Sequence, residues 1–439
     1  MILHLDNYYF DSKSLLFFSD TIPSNKINDI SKQHIPDISE NKGNTQVNKL
    51  RILPVTEIGI CLTRNCNFRC RYCIDSAMAN NVSVTESDVE TYIKEMIKFH
   101  RMYKIFINEN AKLKIYLTGG GEQTSKWDLF RKSVMIIKRI CAENKIDYSL
   151  GLTTNGYLDN FQREFIKNNI NKVMISYDGL EEIQNKNRIQ EFGLPTNAKV
   201  IETIQYFINH QIDTEVRTTV CNEDFCNMHL MLDYLIASIG KNFTWSICPV
   251  LPLGRAKDFK NINSNSFFEH YIYLQEYAKK NYNFHKINEL FFPKQIIDSP
   301  CGAVSTNYQC PWLLPEKEIV TCIESNIYKT ILGKIDNNKI VWNEQINDVL
   351  LTTIRNRMKE CKDCLAFRFC RGGCPIRALS NKGSNEWECA EIIKYMKYIF
   401  YELLKSGKKD GWILSEVIPG KKELLKIERD DYEENSISK

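Results

Sequence analysis

Cys66, Cys70 and Cys73 stand within the eight residues Cys66-Asn67-Phe68-Arg69-Cys70-Arg71-Tyr72-Cys73, at the spacing C-x3-C-x2-C. Thiolates are soft ligands that hold iron–sulfur clusters, zinc or copper(I). A [4Fe–4S] cube ordinarily takes four cysteines, so three in one loop suit a cube with one iron open to a ligand that is not protein. The same three suit half of a zinc site, because C-x2-C pairs are also zinc-ribbon ligands. Farther on, Cys301, Cys310 and Cys322 precede Cys361-x2-Cys364-x5-Cys370-x3-Cys374 and Cys389. Those eight thiols equal two complete four-ligand sets, which again serve either metal.

The elements around the first loop read as an alternating series. Residues 55–62 form an apolar, β-branched run that ends at the loop. Thr85-Glu86-Ser87-Asp88 then opens a helix, with Val89, Tyr92, Ile93, Met96 and Ile97 at helical spacing. Strands are expected at 112–117, 147–153, 172–176, 212–220 and 243–250, with helices at 127–141, 159–168, 197–210 and 226–239 between them. Such βα repetition implies a parallel sheet with helices outside. Six strands are too few for an eight-stranded barrel, and a partial (β/α)6 barrel fits. Ligands then belong at the carboxyl ends of the strands, where the cysteine loop also lies.

Three thiols at this spacing, with Tyr72 before the last, resemble the signature of the radical S-adenosylmethionine (radical SAM) superfamily. Later strand ends extend the resemblance. Thr118-Gly119-Gly120-Gly121-Glu122 resembles the family's GGE motif, with Gln123 where Pro usually follows. Thr153-Thr154-Asn155-Gly156 resembles its TNG turn, and Ser176-Tyr177-Asp178-Gly179 its S-x-D-G segment, with Arg188 ten residues after Asp178. Pro252-Leu253-Gly254-Arg255-Ala256 is similar to a family segment after the sixth strand. The resemblance implies a [4Fe–4S] cluster on Cys66, Cys70 and Cys73, its free iron chelated by SAM. Reductive cleavage of SAM would give a 5′-deoxyadenosyl radical that abstracts hydrogen from substrate. It also implies SAM contacts by Gly120, Gly121, Glu122, Asn155, Ser176 and Asp178, and by Arg188 or Arg217 at the SAM carboxylate.

The second cysteine region resembles the SPASM domain, which carries two auxiliary [4Fe–4S] clusters. Family connectivity would join Cys301, Cys310, Cys322 and Cys374 in one cluster, and Cys361, Cys364, Cys370 and Cys389 in the other. Lys317, five residues before Cys322 in an expected hairpin Pro315–Glu318, stands where the family often has Gly. The fold class is thus α/β: a partial (β/α)6 radical SAM barrel followed by a small cysteine-rich SPASM domain. The expected organisation is a hairpin and polar linker (1–50), the barrel (51–256), a helical bridge (257–295), the SPASM domain (296–405) and a charged tail (406–439). Cys61, Cys141, Cys221 and Cys248 fall in strands or a helix and are expected to pack as small apolar residues.

Composition narrows the partners. A formal net charge of +4 over 439 residues predicts neither nucleic-acid binding nor membrane attachment. No apolar run approaches the ~18–20 residues of a membrane helix, and the N-terminus lacks a signal-peptide pattern. A cytoplasmic protein is expected, most of whose 16 cysteines serve metal clusters rather than disulfides. Because SPASM proteins mostly act on peptides or proteins, the resemblance implies a maturase. The leading expectation is a cross-link at an unactivated side-chain carbon of a ribosomally made precursor peptide. The alternative is an anaerobic sulfatase-maturing enzyme that makes formylglycine from Cys or Ser, and a further one is a non-catalytic iron–sulfur scaffold. A flavodoxin or ferredoxin would supply the electron.

Overall fold

Thr85 and Asp88 start the first helix by exchanging hydrogen bonds. The Asp88 N–H donates to Thr85 Oγ1 at 3.2 Å, and the Thr85 N–H donates to Asp88 Oδ2 at 2.8 Å. This capping box satisfies two donors that a helix start leaves open. The helix it begins, α1 (Glu86–Phe106), buries Val89, Tyr92, Ile93, Met96 and Ile97, each at most 1% exposed. Side chains of that size contribute roughly 1.5–3 kcal/mol each when fully buried, so this apolar stripe fixes the helix to the sheet. Asp159 and Gln162 close a second capping box ahead of α3 (Asn160–Asn169).

The computed structural model describes residues 2–5, 8–11, 16–19, 55–75, 81–106, 108–250, 254–259, 264–287, 310–321, 330–361, 364 and 372–374. Cys301, Cys322, Cys370 and Cys389, the linker after residue 19 and the tail from 406 lie outside them. The chain forms two compact units, one of residues 1–48, 291–301 and 350–439, the other of residues 49–290 and 302–349.

The second unit holds the predicted series. Strands β4 (Glu57–Ile60), β5 (Leu113–Leu117), β6 (Tyr148–Thr154), β7 (Lys172–Ser176), β8 (Asp213–Val220) and β9 (Thr244–Pro249) pair in parallel, each with the next. Between and after them run α1, α2 (Trp127–Glu143), α3, α4 (Glu181–Asn187), α5 (Asn197–Asn209), α6 (Met228–Ile239) and α7 (Ser264–Tyr282). One face of the sheet is buried, with Ile58, Ile115, Leu150, Val173, Ile175, Val216 and Ile247 at most 1% exposed. The alternate residues, among them Tyr116, Thr153, Met174, Ser176, Arg217, Thr219, Ser246 and Cys248, are half-buried or exposed. This period-two division gives the strands one core face and one accessible polar face.

Beyond β4 the sheet continues in a way the sequence did not indicate. Strand β10 (Trp312–Leu313) pairs parallel to β4 and antiparallel to β11 (Glu318–Val320), and β12 (Ile331–Asp336) and β13 (Lys339–Trp342) complete a ten-stranded sheet. The β10–β11 turn has Lys317 at φ 64°, in the left-handed region that Gly would take at no cost. Its Nζ is 3.1 Å from Asp88 Oδ1, the carboxylate that also caps α1.

In the first unit, the predicted N-terminal hairpin is a three-stranded antiparallel sheet of β1 (Ile2–Leu5), β2 (Tyr8–Asp11) and β3 (Leu16–Ser19). Strands β2 and β3 carry the two apolar runs of that hairpin, and Ile2–Leu5 supplies the added strand. Cys361 directly follows α8 (Glu344–Glu360), and the Cys364 N–H donates to the Cys361 carbonyl at 2.9 Å. Arg357 of α8 donates from Nε to the Gly372 carbonyl at 3.0 Å, two residues before Cys374. Among the described residues, no helix is long and apolar enough to cross a membrane.

Candidate active site around the cysteine loop

The loop after β4 is held by the ends of the following strands. Its first residues lie against the Gly119–Glu122 turn that follows β5. The Gly121 N–H donates to the Thr63 carbonyl at 2.9 Å, and the Glu122 N–H to the Asn65 carbonyl at 2.8 Å. A Cβ on Gly121 would lie 1.9 Å from the Asn65 oxygen. The close approach that this glycine permits is therefore to the cysteine loop itself. Gln123, in the usual place of Pro, is fully buried and pins the same turn. Its Nε2 donates to the Gly119 carbonyl at 2.6 Å and the Gly121 carbonyl at 3.2 Å, while its Oε1 accepts from the Leu62 N–H at 2.7 Å.

Glu122 ties that turn to the next strand end. Its buried carboxylate accepts from the Thr124 N–H (3.2 Å), Thr124 Oγ1 (2.7 Å), Thr154 Oγ1 (2.9 Å) and the Asn155 N–H (2.6 Å). Burial pushes its pKa up, and these donors oppose the shift. Asn155 passes the connection on, since its Nδ2 donates to Asn67 Oδ1 in the cysteine loop at 2.7 Å.

The far side of the loop rests on the end of β7. Asp178 is fully buried. Its Oδ2 accepts from the Tyr72 hydroxyl, and its Oδ1 faces Arg188 Nε at 2.9 Å and the Thr219 N–H at 3.3 Å. The Arg188 guanidinium lies 5.4 Å from the centre of the Tyr72 ring. Burial pushes the Tyr72 hydroxyl well above its ordinary pKa, against the lowering effect of Arg188. The loop backbone runs along residues 187–191. The Arg69 N–H donates to the Ile189 carbonyl at 2.6 Å, and the Arg71 N–H to the Asn187 carbonyl at 2.9 Å.

The segment after β9 completes the enclosure. Arg255 donates from its N–H to the Cys73 carbonyl at 3.0 Å and from Nη1 to the Cys70 carbonyl at 3.2 Å. Gly254, at φ 56°, leaves room for this, because a Cβ there would lie 2.4 Å from the Cys73 oxygen and 2.3 Å from that of Ile74.

The geometry thus brings Gly120, Gly121, Glu122, Asn155, Asp178 and Arg188 to the loop. Ser176 and Arg217 lie elsewhere, as cross-strand partners on the accessible face of the sheet. Arg217 is exposed there, with Nη1 3.9 Å from Met174 Sδ. On the same face the Glu215 carboxylate is buried, 2.6 Å from Lys172 Nζ and hydrogen-bonded to Ser246.

One further connection leaves no local mark in the sequence. Arg64 lies 3.0 Å from Asp75 Oδ1 and 2.9 and 3.0 Å from the two Glu316 oxygens, while Asp75 Oδ2 accepts from the Gly120 N–H at 3.1 Å. Three scattered charges read as surface residues in a sequence, yet Arg64 is only 6% exposed.

Cys66, Cys70 and Cys73 are half-buried and form no disulfide. Burial pushes the Cys66 thiol up to about 12, helped by Glu122, and the Cys70 thiol up to about 11, with Arg188 and Arg255 pulling it down. Three thiols on one clamped loop, flanked by two guanidiniums, form a donor set that suits an anionic thiolate-bound cluster. Residues 60–235 match the radical SAM superfamily. The chain carries a radical SAM domain. The cofactors of that family are SAM and a [4Fe–4S] cluster, and the residues described here fit a cluster on Cys66, Cys70 and Cys73.

Relatives extend beyond that domain. The chain is 23% identical over 372 residues to a cysteine-type anaerobic sulfatase-maturating enzyme of Clostridium perfringens, covering 77% of this chain and 94% of the relative. It is 27% identical over 216 residues to a GTP 3′,8-cyclase of the same species, covering 48% and 60%. Among solved structures, the fold resembles native anSMEcpe with bound AdoMet and Kp18Cys peptide, with a TM-score of 0.63, 19% identity and coverage of 80% and 99%. It also resembles Streptococcus suis SuiB bound to precursor peptide SuiA, with a TM-score of 0.55, 16% identity and coverage of 83% and 80%.

Proposed function

We propose that this chain is a SAM-dependent radical enzyme that oxidises a side chain of a peptide or protein, of the anaerobic sulfatase-maturating type. The observation that carries the reading is the enclosure of the Cys66–Cys73 loop by four strand-end segments, led by the Tyr72–Asp178–Arg188 contact. Similarity to the sulfatase-maturating relative over 94% of its length supports the substrate class. A [4Fe–4S] cluster on Cys66, Cys70 and Cys73, with SAM bound, supplies the chemistry of hydrogen abstraction. The protein's part is to hold that loop, to place SAM and to keep the target carbon beside it in a dry site.

The residues divide between those tasks. Glu122, Asp178 and Arg188 are consumed by contacts within the protein and position the loop. Ser176 and Arg217 lie on the accessible face, where Arg217 has no carboxylate partner among the described residues, and take the SAM carboxylate. The cysteines of the second region hold two auxiliary [4Fe–4S] clusters that accept the electron left as product forms, with a flavodoxin or ferredoxin as reductant. Cys361, Cys364 and Cys374 are half-buried, and Cys310 is buried beside β10.

A second reading, cross-linking of a ribosomally made precursor peptide, is supported by the structural likeness to SuiB with its precursor peptide. One experiment separates the two. The reduced enzyme is incubated with SAM and a Cys-containing sulfatase peptide, then with candidate precursor peptides. An aldehyde at the Cys position, trapped by a hydrazine, supports the sulfatase type. Loss of two hydrogens with a new inter-residue bond in tandem mass spectra supports the cross-linking type instead.

A further inference from the structure

The carboxyl end of β8 gathers a second set of metal-ligating groups beside the cysteine loop. Cys221 follows the strand, and Glu223 and Asp224 lie on the short 3₁₀ helix Asn222–Asn227. The Cys221 sulfur and one carboxylate oxygen from each acid lie within 4.8 Å of one another. Asp224 is only 6% exposed, and its Oδ2 is buried with no hydrogen-bond donor among the described residues. An acceptor left in that state costs about 1–3 kcal/mol, and more when charged. The fold therefore holds a buried carboxylate oxygen in need of a positive partner, next to a thiol and a second carboxylate.

We propose that Cys221, Glu223 and Asp224 bind one divalent transition-metal ion of the zinc type, at a site distinct from the three thiols of the loop. The donor set selects the ion. Zinc accepts thiolate sulfur together with carboxylate oxygen, whereas calcium and magnesium take oxygen ligands. Three protein donors leave a fourth tetrahedral position for water, the pattern of an open zinc site. Binding displaces the Cys221 thiol proton to solvent, because the thiolate is the ligand. One thiolate and two carboxylates exceed the charge of the ion by one. Lys186, 3.3 Å from Glu223, and Arg71, 3.6 Å from it, offset that excess. The position is also buttressed, since Cys221 packs with Tyr72, Val250 and Ala256, and Cys70 packs against the same cluster. A metal there would brace the cysteine loop from the side of β8.

The test uses the anaerobic full-length protein with its clusters loaded. It is equilibrated with zinc, dialysed against metal-free buffer, and assayed for zinc and iron on the same sample. The wild type is expected to keep one zinc per chain with its iron unchanged. Asp224→Asn and Glu223→Gln are each expected to weaken zinc retention at least about tenfold, the lower bound for losing even an outer-shell partner of a metal, again with iron unchanged. Glu223 is exposed, so its variant keeps the fold even if the Asp224 variant does not. Absence of zinc from the wild type overturns the proposal. So does equal retention by wild type and both variants, or zinc that appears only as iron is lost, which would place it on the cluster thiols.

Discussion

Replacing Asp178 by Asn isolates the contact on which the cysteine loop rests. The wild-type carboxylate is fully buried and serves Arg188 Nε, the Thr219 N–H and the Tyr72 hydroxyl. In the variant one oxygen becomes an NH2 group. Turned toward Arg188 it sets donor against donor. Turned toward Tyr72 it keeps the Arg188 hydrogen bond but still removes the counter-charge from a guanidinium whose side chain is 9% exposed. Breaking a buried pair from one side costs about 3–5 kcal/mol, out of a typical total of about 5–15 kcal/mol. With a urea dependence of about 3 kcal/mol per molar, the upper range for small domains, the midpoint falls by about 1–1.7 M. Anaerobic urea unfolding followed by circular dichroism measures this. The double variant Asp178→Asn/Arg188→Gln removes both charges and is expected to be less destabilised than the sum of the two single changes, because neighbouring pairs are not additive. Asp178→Asn within about 0.5 kcal/mol of wild type, the range of an inconsequential surface substitution, would show that the loop does not rest on this pair. Strict additivity in the cycle would show the same.

Other consequences separate cluster binding from SAM binding. Arg217→Gln is expected to weaken SAM at least about tenfold, the equivalent of about 1.4 kcal/mol, while leaving iron content unchanged; equilibrium dialysis with labelled SAM reads the first quantity and iron assay the second. Gly254→Ala places a methyl group 2.3–2.4 Å from two carbonyl oxygens of the loop, so the purified variant should hold fewer irons than wild type, and full iron content would show that the segment moves freely. In the triple variant Cys66→Ala/Cys70→Ala/Cys73→Ala, iron is expected to fall from about 12 to about 8 per chain, given four irons in each cluster. Zinc in place of iron in the wild type would contradict that count.

The parallel series was legible because each of its elements carries a local signal. Lys172–Ser176 is a short apolar strand, and Thr85 with Asp88 and Asp159 with Gln162 are capping pairs three residues apart. The motif turns were legible for the same reason, as short strings at strand ends. What sequence could not convey was contact over distance. Trp312–Leu313 is a two-residue strand, and nothing local says that it joins β4 some 250 residues earlier. Glu316 and Asp75 look like solvated charges until Arg64 is seen buried between them. Gln123 read as a neutral departure from Pro, whereas its side-chain amide fixes the glycine turn. Lys317 likewise read as a misfit for a tight turn, and the chain accepts its left-handed backbone with the side chain paired to Asp88. Arg188 and Arg217 were equal candidates in sequence, and only geometry separated the buried partner of Asp178 from the cation on the open face.

Reductive cleavage of SAM at the enclosed cysteine loop is the activity on which the proposed function stands. The most direct measurement is 5′-deoxyadenosine formed by the cluster-loaded protein with SAM and dithionite under anaerobic conditions, beside the triple cysteine variant. 5′-Deoxyadenosine is expected from the wild type, and none above background from the variant. Fully loaded wild-type protein that yields none, or a variant that yields as much, would contradict the proposed function.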